Sequence, residues 1–137
     1  MSDAQIIIYS LIYAAFLPYL AKVPLAYAMH KQGTKFRPGY DNKQPREQQR
    51  QLTGFGARCL AAHENSFEAL IIYAPAVLLL IATDNVSRHM AILALAFMCF
   101  RTLYVIFYWL DWDKLRSLSW LLGIACAFTM MVNCLPS

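Results

Sequence analysis

The chain has 137 residues, of which 59% are apolar and only 15% charged, with a mean hydropathy of +0.42. A soluble domain of this size carries about 25% charged residues, and the apolar residues here fall in long blocks, which excludes an ordinary water-soluble fold. The net charge of +4 would fit nucleic acid only if a basic stripe interleaved with aromatics were present, and none is.

Four spans of roughly 20 residues each, with their connectors, nearly exhaust the length. Any chemistry must therefore be built from the spans and loops themselves. The expected fold is all-α, a single four-helix membrane domain over residues 1–137.

The first apolar block runs from about residue 4 to 29. Ala26-Tyr27-Ala28 resembles a leader cleavage site, but the start carries Asp3 instead of basic residues and the block exceeds the usual h-region, so it reads as a retained span. Pro18 and Pro24 are expected to kink it or end its regular hydrogen bonding. Lys22 within it either snorkels to an interface or faces the bundle.

Residues 30–56 form the one long polar stretch, a loop with Gly33, Pro38, Gly39 and Pro45. A short interfacial helix is expected near its end, in the Gln- and Arg-rich run Gln44 to Gln51. The second span covers about 57–83 and is polar in its first half. A tight connector from Asp84 to His89 leads to the third span, about 90–110. The turn Asp111-Trp112-Asp113-Lys114 opens the fourth, about 114–134, with acidic residues suited to a helix start. Trp109, Trp112 and Trp120 near this turn fit an interfacial belt.

Positive charge is lopsided. Lys31, Lys35, Arg37, Lys43, Arg46, Arg50, Arg58, Lys114 and Arg116 lie on one side and Arg88 alone on the other. The positive-inside rule then puts the long loop in the cytosol and both termini outside or in the lumen. The final residues Cys134-Leu135-Pro136-Ser137 carry no lysine-type or KDEL retention signal, and a bacterial plasma membrane is the expected location. Cys59, Cys99, Cys126 and Cys134 form no CxxC pair and have no zinc-type spacing with histidine, so they read as small buried apolar residues and no metal is expected.

A charge at mid-span costs about 2.5–3.5 kcal/mol on insertion scales and needs a reason. The second span holds Arg58, His63, Glu64, Asn65 and Glu68 within eleven residues. At about 100° per residue, Arg58, Asn65 and Glu68 share one face, with Ala61 and Ile72 between them; Glu64 lies at its edge, and His63 points to the opposite side, toward some other contact. In the third span Arg101, Tyr104 and Tyr108 share a face with Phe97. Glu68 and Arg101 lie at similar depth, so an ion pair between them is expected. Such a pair alone would be a structural tie. Two tyrosines, a second carboxylate and Arg116 exceed what one tie requires and suit a zwitterionic, carboxylate-bearing ligand, because arginine grips carboxylates in bidentate fashion.

The stretch Arg58-Cys-Leu-Ala-Ala-His63-Glu-Asn65-Ser-Phe-Glu68, with Arg101-x-x-Tyr104-x-x-x-Tyr108 and Leu115-Arg116-Ser117, resembles the MAPEG family, the membrane-associated proteins in eicosanoid and glutathione metabolism that include the microsomal glutathione transferases. The resemblance covers nearly the whole chain. It implies a homotrimer with glutathione as co-substrate, bound between adjacent subunits near the cytosolic face. It further implies that Arg58, Asn65, Glu68, Arg101, Tyr104 and Tyr108 contact glutathione and that Arg116, with Tyr108, serves the thiolate. Two departures stand out: family members often carry an arginine where this chain has Ala61, and the interval from Tyr108 to Arg116 differs by a residue from some members.

The activity expected is glutathione-dependent transfer to, or peroxide reduction of, lipophilic electrophiles within the bilayer. A non-catalytic membrane binding or scaffold protein of the same fold is the alternative that Ala61 favours. A small transporter is the third, although the chain lacks the internal repeat and paired broken helices typical of one.

Overall fold

A computed structural model describes residues 1–136; Ser137, the last residue of the tail examined for retention signals, lies outside the described residues. All regular structure among the described residues is helical. Helix α1 spans Asp3–Gln32, α2 Pro45–Arg50, α3 Phe55–Ala82, α4 Arg88–Trp109 and α5 Asp113–Val132. Four of these, all but α2, are long and apolar enough to cross a membrane. The short α2 occupies the Gln- and Arg-rich end of the long loop.

Local chemistry accounts for the helix ends. Ser2 and Gln5 form a reciprocal capping box at the start of α1, and Ser87 accepts from the Met90 amide to start α4. Gly33 closes α1 with φ of +62°, a left-handed conformation that glycine adopts freely. All four long helices begin one or two residues before the apolar blocks, and α1 also ends three residues beyond its block, because polar residues flanking a span keep helical hydrogen bonds in the headgroup region. Helix α5 stops two residues short of residue 134, at Val132.

Helix α1 runs unbroken through Pro18 and Pro24, so neither proline ends the helix. Each proline deletes one backbone donor, and side chains from α3 engage the segment: His63 Nδ1 lies 2.7 Å from the Pro18 carbonyl. A carbonyl can only accept, so Nδ1 carries the proton. This is the separate contact expected of His63.

Helix α1 packs chiefly on α3 and α4 on α5, while α1–α4 and α3–α5 contacts close the bundle. Near the helix ends remote from the long loop, Tyr73 stacks on Phe97 with ring centroids 3.7 Å apart and planes inclined by 4°. The Tyr73 hydroxyl meets Ser10 Oγ at 2.6 Å, which satisfies both polar groups in an apolar layer. Cys59 and Cys126 are buried as expected, whereas Cys99 is exposed on the outer surface of α4. Trp112 and Trp120 are exposed as a belt would be, but Trp109 is partly buried and packs against the two core clusters nearest the loop.

Helix lengths set the depth of every polar side chain. At 1.5 Å per residue, α1 is about 45 Å long and α4 about 33 Å. An Asp3–Arg88 ion pair of 3.0 Å ties the starts of α1 and α4 at the face remote from the loop. The surplus length of α1, and likewise of α3, therefore projects on the loop face. Lys22 lies nineteen residues beyond Asp3, about 28 Å along the axis. That is near the far edge of a hydrocarbon layer about 30 Å thick, so Lys22 reaches headgroup level with little snorkelling.

Candidate functional site

The same arithmetic places Arg101 about 20 Å above the start of α4 and Glu68 about 21 Å from the far end of α3. The side chains at this level form the polar centre of the bundle. Arg101 is 1% exposed and is the largest fully buried side chain. Its aliphatic stem runs beside Gly123 of α5: a methyl group built on Gly123 would sit 3.6 Å from Arg101 Cδ. A glycine here lets α5 close over the arginine.

The guanidinium is held from one side only. Nη2 donates to Asn65 Oδ1 at 2.9 Å and to the Asn65 carbonyl at 3.3 Å. Asn65 Nδ2 in turn donates to Glu68 Oε2 at 2.7 Å. The expected direct Glu68–Arg101 ion pair is thus absent among the described residues, and Asn65 relays between the two charges. Geometry explains the relay. Asn65 is nearly one turn closer to the loop than Glu68 and half-buried, so its short amide faces α4, while Glu68 stays exposed at the outer edge of the same face.

Two guanidinium nitrogens, Nε and Nη1, are buried with no hydrogen-bond partner. Buried donors are nearly always satisfied, and those of a cation are the most expensive to leave bare.

Above Arg101, cations and rings alternate. Arg101 lies 4.3 Å from the centre of the Tyr104 ring, Tyr104 meets Tyr108 edge to face at 5.6 Å, and Arg116 lies 4.4 Å from the centre of the Tyr108 ring. The ring faces attract the guanidinium groups, so α4 presents a continuous strip from Arg101 to Arg116 of α5. Tyr13 of α1 bonds Thr102 and clamps α4 one residue from Arg101.

Arg58 shares the Asn65–Glu68 face but stands apart from the cluster, two turns nearer the loop. It lies 4.0 Å from Asp111 in the α4–α5 turn, and its Nε is buried without a partner. Asp111 holds φ of +61° there, which brings its carboxylate toward α3. The structure thus joins Asn65, Glu68, Arg101, Tyr104, Tyr108 and Arg116 in one strip and leaves Arg58 at its upper rim. Gly123 and Tyr13 were not singled out from the sequence, and Asp111 was read only as part of the turn before the fourth span. Only the glycine inside an otherwise apolar helix carried a signal.

A four-span helical membrane protein with a buried, half-satisfied arginine facing an asparagine–glutamate pair is the class that fold and site define. The chain matches the family model of the MAPEG family over residues 6–136, nearly its whole length, and it belongs to that family. Neither the curated proteins nor the solved structures compared with it gave a match.

Proposed function

We propose that this protein is a membrane-bound glutathione-dependent transferase or peroxidase acting on lipophilic electrophiles. The observation that carries the reading is the Arg101 guanidinium, 1% exposed with Nε and Nη1 free of partners. A ligand carboxylate oxygen reaching either donor would make a charge-assisted hydrogen bond to the guanidinium. Glu68, exposed and already bonded to Asn65, would take the ligand's ammonium group. Glutathione carries both groups on one skeleton.

In this reading glutathione lies along the strip between adjacent subunits of a homotrimer, near a cytosolic face that bears the long loop. The exposure of Glu68 in one chain supports a site that a second copy completes. Arg116 stabilises the thiolate, the nucleophilic form, and Tyr108, whose ring it covers, or Tyr104 donates a hydrogen bond to the sulfur. Sulfur then attacks the electrophilic carbon, and the leaving group departs with its bonding pair. A lipophilic substrate reaches the site laterally from the bilayer, which is reason enough to build it at this depth. Arg58 guards the upper rim and meets the ligand's outer end.

Calorimetry with glutathione on the detergent-solubilised protein tests the reading, with Glu68→Ala and Arg101→Ala beside the wild type. Saturable binding by the wild type, lost in both folded variants, is the expected result. No binding by well-folded wild type would leave the Glu68–Asn65–Arg101 chain as a structural tie. That outcome would favour a non-catalytic scaffold, the reading to which Ala61 also points.

A further inference from the structure

The outer end of the strip holds an acidic residue that the chemistry above leaves unused. Helix α4 closes in a left-handed cap: the Asp111 amide donates to the Tyr108 carbonyl at 3.2 Å and the Trp112 amide to the Phe107 carbonyl at 2.9 Å. The Phe107 and Trp112 rings pack beside this cap, 5.7 Å apart. Glycine is the usual residue at the left-handed position of such a cap, yet Asp111 fills it with φ of +61°. Its carboxylate lies 4.0 Å from Arg58 Nη1. Asp84 fills the same position in the cap of α3, with φ of +54°, and has no cation within 4.0 Å among the described residues. The backbone motif therefore accepts aspartate at both ends of the bundle, and only at the loop end does the carboxylate meet a cation.

Depth and distance define what this pair does. Arg58 lies about 36 Å from the remote end of α3, and Asp111 about 35 Å along from the start of α4. Both are past a hydrocarbon layer about 30 Å thick, where water and ions reach them. At 4.0 Å, with side chains 29% and 70% exposed, the pair is looser than a hydrogen bond. Exposed pairs of this kind shift an equilibrium by about fivefold at most. Arg58 is seven residues, about 10 Å along α3, from the Asn65 that holds Arg101. Three extended residues span about 10–11 Å. A tripeptide with one carboxylate near Arg101 therefore brings its second carboxylate to Arg58.

From this we infer that Asp111 is a positioning residue, which occupies Arg58 until the second carboxylate of the ligand displaces it; the inference rests on the glutathione reading given above. Two carboxylates facing one guanidinium repel each other, so the ligand exchanges one loose pair for another and gains less than it would from an unpaired Arg58. A thiol whose outer end carries no charge leaves the Arg58–Asp111 pair in place and meets no competition.

The test uses the full chain in neutral detergent, titrated by calorimetry with glutathione and with glutathione esterified at its glycyl carboxylate. Asp111→Asn removes the competing charge and keeps the size of the side chain. It is expected to bind glutathione about threefold more tightly than wild type and the ester with unchanged affinity. Asp84→Asn, in the matching cap at the other end of the bundle, is expected to equal wild type with both ligands. Equal or weaker binding of glutathione by Asp111→Asn, or the same gain with the ester, overturns the inference. Labelling of Arg58 by phenylglyoxal, located by mass spectrometry, needs no ligand, and Asp111→Asn should raise its rate. If glutathione binds neither protein, the glutathione reading fails by itself and the labelling decides on Asp111. A raised rate that acetate suppresses more strongly in Asp111→Asn than in wild type sustains the inference, and an unchanged rate at Arg58 overturns it.

Discussion

Replacing Asn65 with Ala strips the Arg101 guanidinium of its side-chain partner at 2.9 Å and frees Glu68 from its bond at 2.7 Å. Ordinary side-chain hydrogen bonds between membrane helices average about 0.6 kcal/mol. This one should be worth more, because the group left behind is a cation 1% exposed that already has two bare donors. Leaving a buried polar group unpaired costs about 1–3 kcal/mol, with charged groups at or above the upper end, so Asn65→Ala should destabilise the bundle by about 3 kcal/mol. Arg101→Met removes the charge but keeps the length of the stem against Gly123. What it leaves behind is the neutral, half-buried Asn65 amide, whose loss of one hydrogen-bond partner costs about 1 kcal/mol, so this variant should stay within about 1 kcal/mol of wild type. The double variant should then be more stable than Asn65→Ala alone by about 2 kcal/mol, since it leaves no buried charge without a partner. Reversible unfolding in mixed micelles, read by circular dichroism, gives the four corners of the cycle. Additive effects of the two substitutions would refute the claim that Asn65 acts by satisfying Arg101.

Other consequences follow from the same geometry. Arg116→Ala should raise the thiol pKa of bound glutathione, and an unchanged thiolate absorbance titration would remove Arg116 from that role. Tyr73→Phe keeps the stack on Phe97 and leaves Ser10 bonded to the Ile7 carbonyl at 2.6 Å, so unfolding measurements should find a loss of only about 0.5–1.5 kcal/mol. Gln48→Ala removes three bonds that pin the long loop, to the Met29 carbonyl, the Gly39 carbonyl and the Asp41 amide; faster limited proteolysis between residues 33 and 44 is expected. In the same loop, burial opposes ionisation of Asp41, but the Lys43 and Gln44 amides and the Arg37 guanidinium outweigh it and hold the carboxyl below the usual value. Its contribution to loop order is therefore complete above the unfolded-state pKa and lost as pH falls through the lower folded one. Amide exchange of residues 37–44 should rise in that acid range and do so earlier in Arg37→Ala.

Much of this was legible in the residues because a helix has a constant rise and a constant turn. Apolar blocks of span length marked α1, α3, α4 and α5, and the Gln- and Arg-rich run marked α2. Residue spacing alone gave Asn65 and Glu68 a common face and brought Glu68 and Arg101 to matching depth. It also turned His63 away from them. Spacing along one helix carries no information about the gap to the next helix or its rotation. That is why the relay through Asn65, the Arg58–Asp111 approach and the seat of Arg101 beside Gly123 emerged only when α3, α4 and α5 were packed together. Lys22 makes the same point: its charge within an apolar block looked like a mid-membrane problem. The Asp3–Arg88 tie decides otherwise, because it aligns the remote ends of α1 and α4 and so sends the extra turns of α1 out on the loop side, carrying Lys22 to the membrane surface.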